Sequence, residues 1–585
     1  MKKFKLLILQ VVFCSLFIQC NKENKKATNT LEATKTTIPL FEYLNKSDTG
    51  IDFANTITEN EQFNFLLYEY LYNGGGVAIG DINNDGLQDL YFSGNTVSNK
   101  LYLNEGNFKF KDITESAKVN GGQGFKTGVT MADVNNDGLL DIYVSKSALQ
   151  NPDLRRNLLY INNGDLTFTE NAAEYGLDDP GYSVQAYFFD MDGDGDLDVY
   201  ILNHPGNFRE SNTIKITQNK DGELGLATPT SFEFVSDRLY KNTNNKFTDI
   251  SKSAGVLNEA FGLSAVIADF NNDNLPDIYV ANDYVMPDRL LINQGNSTFI
   301  DELDKYLKHT SFSSMGSDYG DVNNDGCLDL ITVDMLAKDN YRRKTLIMAQ
   351  NYDKYEKMLK YGLKVQFTSN MLQINSCTEN FSDIAFMDGI AYTDWSWSPL
   401  LADFDNDGLK DIHITNGYVR DITNNDYAKF EMDKLQKQLN AKEITLLDWI
   451  QQIPSVAVSS FFFKNNGNLS FENASTLWNS GPPAFSNGSA YADLDNDGFL
   501  DLVVSNINSL PFIMKNKGNE LTNNNYLAIN LVPIKGKTNL GTMAKAYLSD
   551  GSILTEHYNP TRGFFYRLHN IDCILALKNT LQFKK

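Results

Sequence analysis

Residues 81–89 read DINNDGLQD. The same nine-residue pattern returns six more times: DVNNDGLLD at 133–141, DMDGDGDLD at 190–198, DFNNDNLPD at 269–277, DVNNDGCLD at 321–329, DFDNDGLKD at 403–411 and DLDNDGFLD at 493–501. Positions 1, 5 and 9 are aspartate in every copy, and position 3 is always asparagine or aspartate. A motif recurring along one chain marks a repeat architecture, in which each copy belongs to one supersecondary unit.

The flanks repeat as well. Short apolar runs such as GVAIGD (76–81), GVTMAD (128–133) and SAVIAD (264–269) lead into the loops. β-branched and aromatic runs leave them: DLYFSG, DIYVSK, DVYILN, DIYVAN, DLITVD, DIHITN and DLVVSN. Such runs predict buried strands. Stretches such as KLYLNEGNFKFKDIT (100–114) and FFFKNNGNLSFENA (461–474) then read as strand, Asn/Gly turn, strand. Four strands per unit and seven units predict an all-β, seven-bladed propeller. Loop starts are 52, 57, 79, 52, 82 and 90 residues apart, so the longer units carry insertions. These are placed at 205–235 in blade 3, 338–376 in blade 5 and 417–456 in blade 6. The last two contain the helix-like runs YDKYEKMLKYG and EMDKLQKQLNAKEITLLDWI, and such insertions are expected to share one binding face. Blade 7 lacks a fourth strand of its own, and residues 51–57, in GIDFANTITEN, are expected to supply it and close the ring.

Alternating oxygen-bearing side chains around a tight turn suit a hard divalent cation, above all calcium, which takes six to eight oxygens. Side chains at positions 1, 3, 5 and 9 and the backbone carbonyl at position 7 are the candidate ligands. Along the chain these are Asp81, Asn83, Asp85, Leu87 and Asp89; Asp133, Asn135, Asp137, Leu139 and Asp141; Asp190, Asp192, Asp194, Asp196 and Asp198; and Asp269, Asn271, Asp273, Leu275 and Asp277. Next come Asp321, Asn323, Asp325, Cys327 and Asp329; Asp403, Asp405, Asp407, Leu409 and Asp411; and Asp493, Asp495, Asp497, Phe499 and Asp501. Up to seven structural Ca²⁺ ions are expected, the alternative for any one loop being an empty turn held by Asx hydrogen bonds. Position 6 is glycine except for Asn274 in blade 4, the next most tolerant residue of positive φ, and with Pro276 this makes that loop the weakest candidate. An EF-hand is excluded, because position 12 falls in a strand and is never glutamate.

The formal charge of −23 opposes binding of nucleic acid phosphates, so no nucleic-acid partner is expected. Of five cysteines, Cys14 and Cys20 lie in the N-terminal segment. Cys327, Cys377 and Cys573 show no CxxC spacing, so neither a zinc site nor a disulfide framework is indicated, although a Cys327–Cys377 bridge is allowed. Lys2, Lys3 and Lys5 precede an apolar stretch, Leu6–Ile18, that is too short to span a bilayer and ends at Cys20. The five histidines form no HExxH, and neither a GxSxG elbow nor a phosphate loop is present. Trp395 and Trp397 could stack on sugars, but packing is the commoner role for such residues.

The N-terminal segment resembles a bacterial lipoprotein signal in which Cys20 is acylated, departing from the pattern at Gln19. An ordinary signal peptide or an uncleaved anchor are the other readings. The repeats, with DNYRRKT, NYDKYEKMLKYG and TDWSWSPLLADFDNDG, resemble the FG-GAP/VCBS-repeat exported lipoproteins, whose loops are of the integrin α-subunit type. Residues 525–566 resemble the start of an ASPIC/UnbV domain, as in the cartilage acidic protein family, but NIDCILALKNTLQFKK replaces the family's usual continuation after His569. The resemblance implies a signal at 1–20, a linker at 21–40, a propeller at 41–518 and a partial ASPIC/UnbV-like domain at 519–585. It implies an exported, lipid-anchored protein of the outer membrane or cell surface, or of the periplasm, that binds an extracellular protein or glycan. The alternative is a glycan-active hydrolase or lyase on the same scaffold.

Overall fold

The computed structural model describes residues 38–210, 213–218, 222, 224–227, 234–346, 352–529, 538, 540–548, 553–558, 566–567 and 573–577. Backbone contacts separate residues 1–38 from 39–585, and apart from Ile38 the described residues belong to the second unit. The signal segment, Cys14, Cys20 and most of the linker lie outside them. Among the described residues no helix is long and apolar enough to cross a membrane, which says nothing of strands.

Seven four-stranded antiparallel meanders form the blades of a propeller. Blade 1 comprises Val77–Gly80, Asp89–Phe92, Lys100–Asn104 and Phe110–Asp112. In every blade the nine-residue loop joins the first strand to the second. Second strands such as Asp89–Phe92 and Asp411–Asn416 are buried along their whole length, because each blade is covered on both faces by its neighbours. A small residue just before the first strand of blade 5 admits the next blade's backbone: a Cβ on Gly316 would lie 1.7 Å from the carbonyl oxygen of Trp397. The third strand always ends on an asparagine whose register partner is the phenylalanine that opens the fourth, as in Asn104 with Phe110 and Asn465 with Phe471.

The fourth strand of blade 7 is Phe41–Leu44, paired antiparallel with Phe512–Asn516 so that Phe41 opposes Asn516. The expected closing segment, 51–57, does not serve: it makes one isolated bridge, Asn55 with Ile507, and otherwise runs between blades 7 and 1. An outer strand is distinguished by the helical turn it enters. Phe110–Asp112 leads through Ile113 into the four-residue helix Thr114–Ala117 and a left-handed residue, Lys118. Phe41–Leu44 leads likewise into Lys46–Thr49 and the left-handed Gly50, whereas nothing after Phe53 does so. Phe41 is fully buried, stacked on Phe462 with centroids 5.1 Å apart.

Successive strands alternate direction, so the nine-residue loops share one face and the second-to-third-strand connections share the other. The three insertions all leave by the latter route. Blade 3 contributes the strand pair Ile216–Gln218 and Leu224–Leu226. Blade 5 contributes helices Asn340–Leu346 and Tyr352–Lys360, but the expected insertion boundary at 376 is too late, since Met371–Asn375 is the third strand. Blade 6 contributes helices Asn425–Phe430, Met432–Asn440 and Leu446–Gln451, so the predicted helical run is broken into separate pieces. Arg342 ties two insertions together, forming a two-pronged pair with Asp394 at 2.7 and 2.9 Å and a further pair with Asp421 at 3.1 Å.

Phe41→Ala should cost about 3–5 kcal/mol, the usual loss for a buried phenylalanine. Deleting residues 38–44 while keeping 51–57 should lower the melting temperature sharply in calorimetry; an unchanged melt would place the closure elsewhere.

Candidate metal centre

Each nine-residue loop folds around its own carboxylates. In blade 1, Asp81 accepts the N–H groups of Asp85 at 3.1 Å and Gly86 at 2.8 Å, and Asp85 accepts that of Leu87 at 2.8 Å. Asp89 accepts the N–H of Ile82 at 3.0 Å and that of Asn104 at 2.7 Å. The position-9 contacts recur in all seven blades, with Asp141, Asp198, Asp277, Asp329, Asp411 and Asp501 in the place of Asp89. Position 6 takes φ of 87–95° where it is glycine and 67° at Asn274, as the turn requires.

The loops fall into two classes. Where position 3 is asparagine, its amide donates to the position-5 carboxylate at 2.8–2.9 Å: Asn83 to Asp85, Asn135 to Asp137, Asn271 to Asp273 and Asn323 to Asp325. Where position 3 is aspartate, a lysine from the third strand pairs with it: Lys241 with Asp192, Lys464 with Asp405 and Lys515 with Asp495. One oxygen of each of these three aspartates, the Oδ1 of Asp192, Asp405 and Asp495, is buried and has no hydrogen-bond partner among the described residues. A buried, unpaired carboxylate oxygen is costly unless something is coordinated there. In the same loops three carboxylates converge within 4.8 Å: Asp190, Asp192 and Asp194; Asp403, Asp405 and Asp411; Asp493, Asp495 and Asp497. These donor sets fit a hard divalent cation.

Burial pushes the position-9 carboxyls upward in every blade, helped by the neighbouring loop aspartates and opposed by the backbone donors. Asp89, Asp198 and Asp277 rise to about 7 and Asp141 to about 8; Asp329, Asp411 and Asp501 rise well above the ordinary carboxylate range.

Two sets of residues that motif reading had passed over hold the loops in a circle. The first is the third-strand asparagine. Asn104 donates its side-chain amide to the carbonyl of Gln88 in its own blade and to that of Leu494 in blade 7, both at 3.0 Å. Asn162, Asn293, Asn375, Asn465 and Asn516 likewise reach the position-2 carbonyl of the preceding blade. The second is position 4, asparagine in every loop except that of blade 3, where it is Gly193. These asparagines have φ of 54–60°, and Asn84, Asn324, Asn406 and Asn496 donate to the position-6 carbonyl of the next loop at 2.8–3.0 Å. Their recurrence across the repeats was the available signal. Blade 5 adds a disulfide, Cys327–Cys377, joining position 7 to the turn between its third and fourth strands. The sequence had allowed this bridge without indicating it.

The loop face is covered by the chain's own C-terminal part. Thr538 donates its N–H to Gly195 at 3.0 Å, Asn524 its amide to Asp405 at 3.0 Å and Lys545 its ammonium to Gly326 at 3.1 Å, all onto loop carbonyls. Lys410 pairs with Glu556. Tyr566–Arg567 forms a short parallel pair with the innermost strand of blade 1.

FG-GAP-like repeats match residues 63–144, 148–201 and 269–332. The chain therefore carries FG-GAP-like repeats. The FG-GAP propeller is 25% identical over 242 residues to cartilage acidic protein 1 of Mus musculus, covering 41% of this chain and 34% of that protein. It is 32% identical over 134 residues to the Xenopus tropicalis protein, covering 23% of this chain and 20% of that one. The chain spans about a third, or less, of the length of these curated relatives. Among solved structures, an Agrocybe aegerita lectin that recognises non-reducing terminal N-acetylglucosamine overlaps with a TM-score of 0.37 at 15% identity, covering 74% of this chain and 86% of that one. A likeness at that score carries no inference about ligand.

A carboxyl whose pKa is raised by folding stabilises the fold below its unfolded value, and that stability is lost as pH rises through the folded value. Chelated protein should therefore lose thermal stability between about pH 4 and pH 8, the window of the position-9 aspartates, in scanning calorimetry with EDTA. A flat profile would mean that the backbone donors alone keep these groups ionised. Asn104→Ala strands the carbonyls of Gln88 and Leu494 and should cost about 2–4 kcal/mol in chemical denaturation.

Proposed function

We propose that the protein is an exported, calcium-loaded propeller that binds an extracellular protein or glycan through its insertion-bearing face. The observation that carries this reading is the division of the two faces. The loop face is contacted by Asn524, Thr538, Lys545 and Glu556 of the same chain. The opposite face gathers all three insertions and presents Tyr341, Phe386, Met387 and Phe430 to solvent. Large exposed apolar side chains on one face are the usual mark of an interaction surface. The two tryptophans noted in the sequence contribute support rather than a free stacking platform. Trp397 is buried, its indole N–H donating to Gly417 at 2.7 Å, and Trp395 stacks on Tyr418 with centroids 4.2 Å apart.

Calcium is the cation this donor set suits best, since the ligands are all oxygens and magnesium gives up its waters reluctantly. Positions 1, 3, 5 and 9 would hold it, and the ion would neutralise carboxylates that otherwise repel one another. The role is structural: the loops sit where adjacent blades are hydrogen-bonded, away from the insertions. The Cys327–Cys377 disulfide suits an oxidising compartment, in keeping with export, and acylation at Cys20 would hold the protein at the cell surface.

Saturating calcium should raise the melting temperature and EDTA lower it, with about 2.7 kcal/mol gained per loop at a hundredfold excess over Kd. No calcium-dependent shift would remove the cation from this account. In a glycan and extracellular-protein array, binding by the calcium-loaded protein should be lost in Tyr341→Ser/Phe386→Ser, both solvent-facing positions. Binding unaffected by that pair would shift the partner to another surface.

A further inference from the structure

Among the seven loops, one correlation is not explained by the nine-residue motif. The residue just before the third-strand asparagine is Leu103, Ile161, Ile292 and Ile374 in blades 1, 2, 4 and 5, where position 3 is asparagine. It is Lys241, Lys464 and Lys515 in blades 3, 6 and 7, where position 3 is aspartate. The two positions lie far apart in the chain, yet lysine and aspartate occur together or not at all. The structure shows why: the third strand runs back beside the loop, and each ammonium meets the position-3 carboxylate of its own blade. In blade 6, Lys464 also reaches Asp407 at 3.0 Å.

The charges then balance. An asparagine loop carries three carboxylates at positions 1, 3, 5 and 9, and an aspartate loop carries four with one ammonium, a net of −3 in both. The contact is not a surface ion pair of small consequence. Asp192, Asp405 and Asp495 are largely buried, and each uses one oxygen for the lysine while its Oδ1 remains unpaired.

We propose that Lys241, Lys464 and Lys515 are charge-setting residues of the cation sites. Each cancels the additional carboxylate of an aspartate loop, so that the side chains at positions 1, 3, 5 and 9 present the same net charge to an incoming ion in all seven loops. The inference rests on the calcium reading and concerns these lysines alone. A purely structural lysine, one that holds Asp405 in place for the ion, would have the opposite effect on affinity when removed, so the sign of the effect decides.

Blade 6 allows its own loop to be read. Lys464 Nζ lies 5.8 Å from the Trp478 ring centroid. The other three tryptophans, Trp395, Trp397 and Trp449, belong to the insertion face. Terbium(III) emission excited through tryptophan therefore reports chiefly on a lanthanide in this loop, because the energy transfer falls steeply with distance. The probe is Tb³⁺, titrated into the full chain and then competed with Ca²⁺. Lys464→Ile should tighten binding at this loop about tenfold, the effect of one unit charge removed beside the ion. Asp405→Asn should weaken it by a similar factor. Asp405→Asn/Lys464→Ile copies the asparagine loops and should return to the wild-type affinity, and because this pairing occurs naturally in blades 2, 4 and 5 it also controls for folding. Wild-type emission with Lys464→Ile unchanged or weaker would overturn the proposal alone. No emission from any correctly folded variant would overturn both it and the calcium reading.

Discussion

The ring depends on one buried carboxylate per blade. The position-9 aspartate accepts one N–H from the start of its own loop and another from the end of the third strand, so it fixes the loop to the next hairpin. The asparagine at that strand end then reaches into the preceding blade. A polar group is thereby placed where hydrophobic packing alone would leave adjacent meanders free to slide. Such groups are tolerated inside a protein only when fully paired, and that requirement makes the angle between blades a discrete choice. The same carboxylates are among the candidate ligands of each loop.

Closure obeys the same chemistry. Asn104 of blade 1 binds the carbonyl of Leu494 in blade 7, and Asn496 of blade 7 binds that of Gly86 in blade 1, so the junction between the first and last blades uses the contacts found between the others. The strand that completes blade 7 comes from the N-terminal side of the chain. This interlocks the two ends of the propeller and leaves only short outer strands as sheet edges. It also divides the surface. One face is a ring of acidic loops under the chain's own later residues, and the other is free to carry insertions, which add side chains without disturbing the hydrogen-bonded ring.

The blades, their order, most of their strands and the hairpin position of every loop could be read directly, because apolar runs and a nine-residue motif are local patterns. The closing strand was misplaced by ten residues. Phe53 and Phe41 open similar short strings, and the distinguishing feature, a four-residue helix ending in left-handed Gly50, becomes diagnostic only beside Thr114–Ala117 and its equivalents. The third-strand and position-4 asparagines were visible as repeats but not as contacts, since each acts on another blade. Cys327 and Cys377 stand 50 residues apart, and only the folded hairpin brings their Cα atoms to 5.7 Å.

By itself, then, the sequence determined the architecture and the identity of the oxygen-bearing residues. Strand periodicity and turn chemistry act over a few neighbouring residues, and seven copies of the same signal leave little freedom in their assembly. Tertiary structure alone decided which residues share a loop with a lysine, which asparagine spans which pair of blades, which segment seals the circle and which face remains open. Those are relations between positions tens or hundreds of residues apart, and the chain expresses them only when loop closure has brought the strands side by side.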